Sequence, residues 1–161
     1  MQVQVYLRIS RADLASKTLS RMQELDDDDA LTHLAHVNIN LFEGGEQKAT
    51  EALEILEEMC AANDTVLLRN LMAVAHMQLH QFTPAFKILH KCRDMAKQSE
   101  IETPSCTLIN AMTCLQHLNK GSQTLDKLFE ELKKNEPDHP FVIRKEAMEQ
   151  LFDKVAQKIK V

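Results

Sequence analysis

Read by its apolar and polar positions, the chain is a succession of short amphipathic helices joined by polar turns. The clearest stretch is Leu67 to Leu79, an apolar, alanine-containing run. It is followed by the turn His80-Gln81-Phe82-Thr83-Pro84 and then by Ala85-Phe86-Lys87-Ile88-Leu89-His90-Lys91-Cys92. The first run reads as helix A of a two-helix unit and the second as helix B. Pro84 is compatible with a helix start, where its missing N–H has no partner to lose. No stretch sustains the alternation of period two that marks a half-buried strand, so the pattern predicts an all-α chain.

The same unit recurs. Leu34-Ala35 lies in a second helix A, and after the turn Glu43-Gly44-Gly45-Glu46-Gln47, Ala52, Leu56 and Met59 share one helical face. Earlier, Tyr6-Leu7 ends a helix, Ser10 to Asp13 is a turn, and Ala15, Leu19 and Met22 form a stripe. Later, Asn110 matches Asn70, Leu125 matches Ala85 and Phe129 matches Leu89, with Asn119-Lys120-Gly121-Ser122 as the turn and Pro137 as the stop. The equivalent B-helix positions are thus 15, 52, 85 and 125, at spacings of 37, 33 and 40. Tetratricopeptide repeats have a period of about 34. The expected fold is an all-α, TPR-like solenoid of about four helix-turn-helix units, the first incomplete, in a single domain over residues 1–161. A generic helical bundle is the alternative. A small residue at the key position lets helices A and B approach closely. Leu125 breaks that rule, so the fourth unit should be splayed, and Ala96–Pro104 reads as a polar link that lengthens the last spacing.

The two ends differ. Gln2–Arg8 provides only about two turns for the first helix A, with no polar cap of the kind repeat arrays carry. The expectation is the C-terminal part of a longer array, with an exposed N-terminal edge through which the chain self-associates. At the other end, His139-Pro140-Phe141 leads into a last helix, Val142–Lys160. Its Ala147, Met148, Leu151, Phe152, Val155 and Ile159 follow helical spacing, with Lys154, Lys158 and Lys160 near the C-terminus, where cations favour the helix dipole. It is expected to cap the array. A membrane-surface helix is the alternative, opposed by Glu146, Glu149 and Asp153.

Composition narrows the function classes. Three glycines and four prolines in 161 residues leave room for helices, and 44% hydrophobic residues suffice for a core. Aromatics are 4% and Trp is absent, so Leu, Met and Ala carry the packing. The net charge of −5 speaks against a nucleic-acid partner, which calls for a basic stripe. No apolar run approaches the roughly 18 residues of a membrane span. Cys60, Cys92, Cys106 and Cys114 form no CxxC pair and read as free thiols of a reducing compartment.

Candidate chemistry is thin. His33 with His36 and His76 with His80 have one-face helical spacing, but neither pair comes with further ligands for a tetrahedral metal site. Asp26–Asp29 lacks the glycine and spaced acceptors of a calcium loop, and Asp29 reads as an N-cap. Gly44-Gly45 is a turn without the rest of a phosphate loop. No cofactor and no catalytic activity are expected. The candidate site is instead the helix A face, which lines the groove of such arrays: Thr32, His36 and Ile39 in the second unit, Asn70, Val74 and Met77 in the third, and Asn110, Cys114 and His117 in the fourth. Asn70 and Asn110 either grip a partner's main chain, since an amide both donates and accepts, or are satisfied inside the array. Val74 and Met77 either take apolar partner side chains or belong to the inter-repeat core. None of these positions is Lys or Arg, which counts against capture of a carboxylate tail by a TPR adaptor or co-chaperone.

Beyond the bare repeat, several runs resemble the epsilon-subunit family of coatomer, the COPI vesicle coat. They are Leu7 to Ala15, Arg21 to Asp26, Asp29 to Ala35, the turn Gly44-Gly45-Glu46, Ile55 to Met59, Gln116-His117-Leu118 and His139 to Val142. Many of these are turn and surface residues that the repeat does not demand. Lys97–Pro104 is longer than the family pattern, and the family's N-terminal repeats are missing. The resemblance implies a non-catalytic coat component that binds the C-terminal region of the alpha coatomer subunit and stabilises it, alongside other coatomer subunits. It also implies a role in retrograde Golgi-to-ER and intra-Golgi transport from the cytoplasm, with only indirect membrane association through the coat.

Overall fold

The computed structural model describes residues 1–119 and 121–159. Lys120, Lys160, Val161 and the side chain of Ile159 lie outside that description. Nine helices follow one another among the described residues: α1 (Gln2–Arg8), α2 (Ala12–Leu25), α3 (Ala30–Glu43), α4 (Glu46–Ala62), α5 (Val66–Gln78), α6 (Phe82–Gln98), α7 (Ser105–His117), α8 (Ser122–Asn135) and α9 (Pro140–Ile159). Each packs mainly on its neighbours in sequence, the organisation of a helical-repeat solenoid. The odd-numbered helices are the A helices and α2, α4, α6 and α8 the B helices.

The core is correspondingly a chain of interfaces. Val3, Ala15, Leu19, Ala35 and Ile39 join α1, α2 and α3. Val37, Ala52, Leu56 and Leu68 join α3, α4 and α5. A third cluster runs from Ala73, Ala85 and Leu89 through Leu108, Met112 and Leu115 to Leu128, Phe129, Leu132 and Val142.

The helix starts realign the second unit. Ala15 is the fourth residue of α2, Ala85 the fourth of α6 and Leu125 the fourth of α8; in α4 the fourth residue is Ala49, not Ala52. Ala15, Ala49 and Ala85 are all fully buried. Spacing counted through Ala49 starts at 34 residues, the usual repeat length. The turn between α3 and α4 is only Gly44-Gly45, and the apparent insertion disappears once the unit is aligned on Ala49, since α4 and α6 then start at the same distance from their alanine. Gly44 and Gly45 hold φ of 72° and 97° with open space where a Cβ would stand, so backbone conformation, not room, demands glycine there. The long last spacing does come from a link, but one that starts later than the polar composition suggests. Helix α6 continues to Gln98 and buries Ala96, leaving Ser99–Pro104 as connector. Leu125, too large for close approach, is half-buried against the third cluster. Helices α7 and α8 pack less extensively than the helices of the earlier units.

Four A-to-B or B-to-A corners share one device. Ser10, His80, Glu100 and Asn119 all have left-handed φ between 51° and 58°. At Ser10 the amide donates to Leu7 O (3.0 Å) and the next amide, Arg11, to Tyr6 O (2.8 Å); His80–Gln81 and Glu100–Ile101 repeat the pair. This is the Schellman helix end, built here without its usual glycine. At the helix starts, Asp29 Oδ2 accepts from Leu31 N–H at 3.1 Å and Thr65 Oγ1 accepts from Leu68 N–H at 3.3 Å, so Asp29 is the N-cap the sequence suggests.

Helix α9 packs on the preceding helices through its first turns: Phe141 and Val142 join the third cluster, and Lys133 Nζ reaches Glu146 at 2.7 Å. Beyond these, its apolar side is uncovered.

The alanine contacts and the left-handed corners can each be tested by stability. Ala85→Leu inserts volume where α5 and α6 touch and should destabilise the chain by about 1–3 kcal/mol, whereas Ala61→Leu on the exposed side of α4 should be nearly neutral. Glu100→Gly relieves a left-handed non-glycine residue and should stabilise by about 0.5–1 kcal/mol. Urea unfolding followed by circular dichroism reads all three.

Candidate helix A groove and terminal groove

The A helices hold the nine candidate positions at two depths. Thr32 is buried, and its Oγ1 donates to Asp26 O at 2.9 Å, tying α3 to the link before it. Ile39 is buried among Val3, Ala15 and Leu19, facing α1 and α2. Cys114 is fully buried in the third cluster, where desolvation pushes its thiol up to about 11. Asn70 is only 6% exposed. Its Nδ2 donates to Thr107 Oγ1 at 2.7 Å and to Val66 O at 3.2 Å. Both donors of the amide are therefore spent inside the array, where they bolt α5 to α7, while its Oδ1 has no hydrogen-bond partner among the described residues.

The other five retain surface. His36 is half-buried with Nε2 at 3.2 Å from the Glu51 carboxylate of α4. Val74, Met77 and Asn110 are half-buried, Met77 against the edge of the third cluster. His117 is exposed, its ring stacked on Phe82 with centroids 4.1 Å apart and planes 4° from parallel. The candidate positions that keep exposed surface are therefore His36 on α3, Val74 and Met77 on α5, and Asn110 and His117 on α7.

Burial of the polar positions is not a defect of that face; it sets its shape. Gln78 Nε2 donates to Leu41 O at 2.6 Å, linking α5 to the last turn of α3. The Asn70–Thr107 bond does the same between α5 and α7. Helix α5 is thus tied to α3 and to α7 by hydrogen bonds away from open solvent, each costly to leave half-made.

Sequence reasoning missed a second recess. Between α7 and α9 lies a groove of about 710 Å³, lined by Ile109, Gln116, Phe141, Met148 and Phe152 among others. Its signal is the apolar stripe of the last helix, which reads equally well as a buried cap. The paired histidines hold no metal arrangement: His76 Nδ1 lies 2.7 Å from Gln81 Oε1, and no group of three or more His, Cys, Asp or Glu able to hold a metal ion occurs among the described residues. Among the same residues, no helix is long and apolar enough to cross a membrane.

Comparison with known proteins points one way. The sequence profile of the family described as "Coatomer epsilon subunit" matches residues 1–160. Coatomer subunit epsilon-2 of Oryza sativa subsp. indica is 34% identical over 161 residues, covering 99% of this chain and 51% of that protein. Coatomer subunit epsilon-2 of Arabidopsis thaliana is 33% identical over 158 residues, covering 98% and 51%. Coatomer subunit epsilon of Dictyostelium discoideum is 31% identical over 157 residues, covering 95% and 50%. The chain belongs to the coatomer epsilon-subunit family, and it spans about half the length of the curated relatives it matches.

The bolt between α5 and α7 is testable on its own. Thr107→Val leaves an Asn70 N–H without its partner and should cost about 1–3 kcal/mol. Combining it with Asn70→Leu should recover part of that loss. A double-mutant cycle by urea unfolding measures the coupling.

Proposed function

We propose that this chain is the partner-holding part of a COPI coat component, a non-catalytic piece that clasps the C-terminal region of the alpha coatomer subunit and stabilises it within the coat. Family membership supports the coat assignment and association with other coatomer subunits. The alpha partner and the role in retrograde Golgi-to-ER and intra-Golgi transport, on the cytoplasmic face of Golgi membranes and COPI-coated vesicles, are inferred from it. The observation that carries the reading is the row of accessible A-helix side chains, His36, Val74, Met77, Asn110 and His117, mounted on helices pinned to one another. A pre-ordered row of this kind loses little entropy on binding. Its apolar centre, Val74 and Met77, favours an apolar anchor on the partner, and Asn110 and His117 offer hydrogen bonds beside it. With no Lys or Arg in the row, it is poorly suited to the carboxylate-capturing TPR adaptor that is the second reading.

Titration calorimetry with the purified C-terminal region of the alpha subunit tests this. Val74→Asp together with Asn110→Ala should weaken binding by about tenfold or more, or about 1.4 kcal/mol, with unfolding midpoints little changed. Equal affinity in the variant would remove the row from the interface, and no binding by either this chain or a full-length family member would remove the alpha partner.

A second surface bears on the isolated chain. Val5 of α1 and Ile9 at its C-terminal end are exposed, and the start of α1 with Met22, Leu31 and Leu34 lines a recess of about 330 Å³. We expect the chain alone to self-associate through this edge. Light scattering at increasing concentration should show a rising mass that Val5→Lys with Ile9→Lys suppresses.

A further inference from the structure

Aligned on Ala49 and Ala85, helices α3 and α5 are equivalent at a spacing of 36 residues. The α3 counterparts of Asn70, Val74 and Met77 are then Leu34, Asn38 and Leu41. Burial supports the alignment. Leu34, Asn38 and Leu41 are all half-buried, as Val74 and Met77 are, and the bond from Gln78 Nε2 to Leu41 O sets Leu41 beside the end of α5. At 3.6 residues per turn, Thr32, His36 and Ile39 fall between about 140° and 200° round α3 from Leu34. Thr32 and Ile39 are buried there, and His36 meets Glu51 of α4.

The same spacing pairs two exposed leucines. Leu31 is 66% exposed and Leu67 59%, and each is the second residue of its helix. Leu31, Leu34, Asn38 and Leu41 lie within about 80° of arc, one stripe along α3 that Leu67, Val74 and Met77 repeat on α5. Leu34 and Leu41 pack one flank on the second cluster, which holds the stripe in place. Within it, Asn38 Nδ2 donates to Leu34 O at 2.7 Å, and the amide keeps its carbonyl oxygen as an acceptor. On α7 the pattern ends. Thr107, the counterpart of Leu67, is fully buried in its bond with Asn70, and the members that keep surface, Asn110 and His117, are polar. This side of the array is therefore apolar over α3 and α5 and polar over α7.

We propose that Leu31, Leu34, Asn38 and Leu41 of α3, with Leu67 of α5, are specificity-determining residues of the partner site. They continue the surface of Val74 and Met77 and take apolar side chains of the bound segment, whose polar part lies over Asn110 and His117. The inference rests on the alpha partner proposed above and moves the α3 share of the row from His36 to the leucine stripe. A contiguous apolar surface of this kind marks a place where another protein sits, and family membership supplies coatomer subunits as the associates.

Titration calorimetry with the purified C-terminal region of the alpha subunit tests this through Leu31→Asp and Leu67→Asp. Both side chains are exposed and in a first helical turn, where an acid suits the helix dipole, so the unfolding midpoints should not fall. Each variant should bind about tenfold more weakly or worse. Leu67→Met should keep the wild-type affinity, and Glu54→Lys, exposed on α4, should change nothing. Wild-type affinity in both Asp variants, with Val74→Asp and Asn110→Ala still weakening binding, overturns the stripe and leaves the partner standing. No binding by the wild-type chain or by a full-length family member overturns both. Leu31 and Leu34 also border the recess at the start of α1, and Leu67 does not line it. Loss of self-association in Leu67→Asp, with affinity for the alpha subunit unchanged, therefore gives the stripe to a second copy and overturns the proposal.

Discussion

The close approach of helices A and B at one small residue is the constraint on which the array rests. It falls at the fourth residue of each B helix, where Ala15, Ala49 and Ala85 are fully buried. A methyl group there lets two helix backbones come together, and larger buried side chains further along, Leu19 and Leu89 one turn on and Leu56 two turns on, then close the gap. Because every interface is local, the structure is a sum of neighbour contacts rather than one core. The fourth unit shows what happens when the constraint is relaxed. Leu125 takes the alanine's place, α8 packs less extensively on α7 than the earlier B helices do on their A helices, and the next helix, α9, is anchored by its first turns.

Once the pairs are set, buried polar bonds decide how the A helices fan. Asn70 to Thr107 and Gln78 to Leu41 O link α5 to the A helices on either side of it. Arg93 of α6 reaches Glu131 of α8 at 2.5 Å and links B helices in the same sense. These contacts are directional where the alanine contacts are not. They convert a stack that could curve in several ways into one with a fixed row of accessible side chains. Of the two asparagines that suggest a binding site, Asn70 thus spends both donors on the array, while Asn110 remains half-buried at its surface.

Much of this is legible in the sequence, for physical reasons that can be named. Helical periodicity carries the class and the repeat, Asp29 the cap, and Gly44-Gly45 the corner. The second unit reads one turn out of register because Ala49 and Ala52 both lie on the same helix face, and only the start of α4 tells which one meets α3 first. Ala96 resembles loop because polar neighbours surround it, though a single buried face is enough to keep α6 going to Gln98. Asn70 is ambiguous because an amide that bonds a partner and one that bonds a neighbouring helix have the same spacing. Thr107, which takes one of its donors, lies 37 residues away. The stripe of α9 is visible, but periodicity says that a face is apolar, not whether anything covers it.

The central proposal is that this coatomer epsilon-family array uses the accessible side of α3, α5 and α7 to hold the C-terminal region of the alpha subunit. Hydrogen–deuterium exchange on the complex of the two tests it most directly. The account predicts that peptides covering His36, Val74 to Met77 and Asn110 to His117 exchange more slowly in the complex than in the free chain, while the outer faces of α2 and α4 are unchanged. Slowing confined to the B helices, with those A-helix peptides exchanging as they do in the free chain, would contradict it.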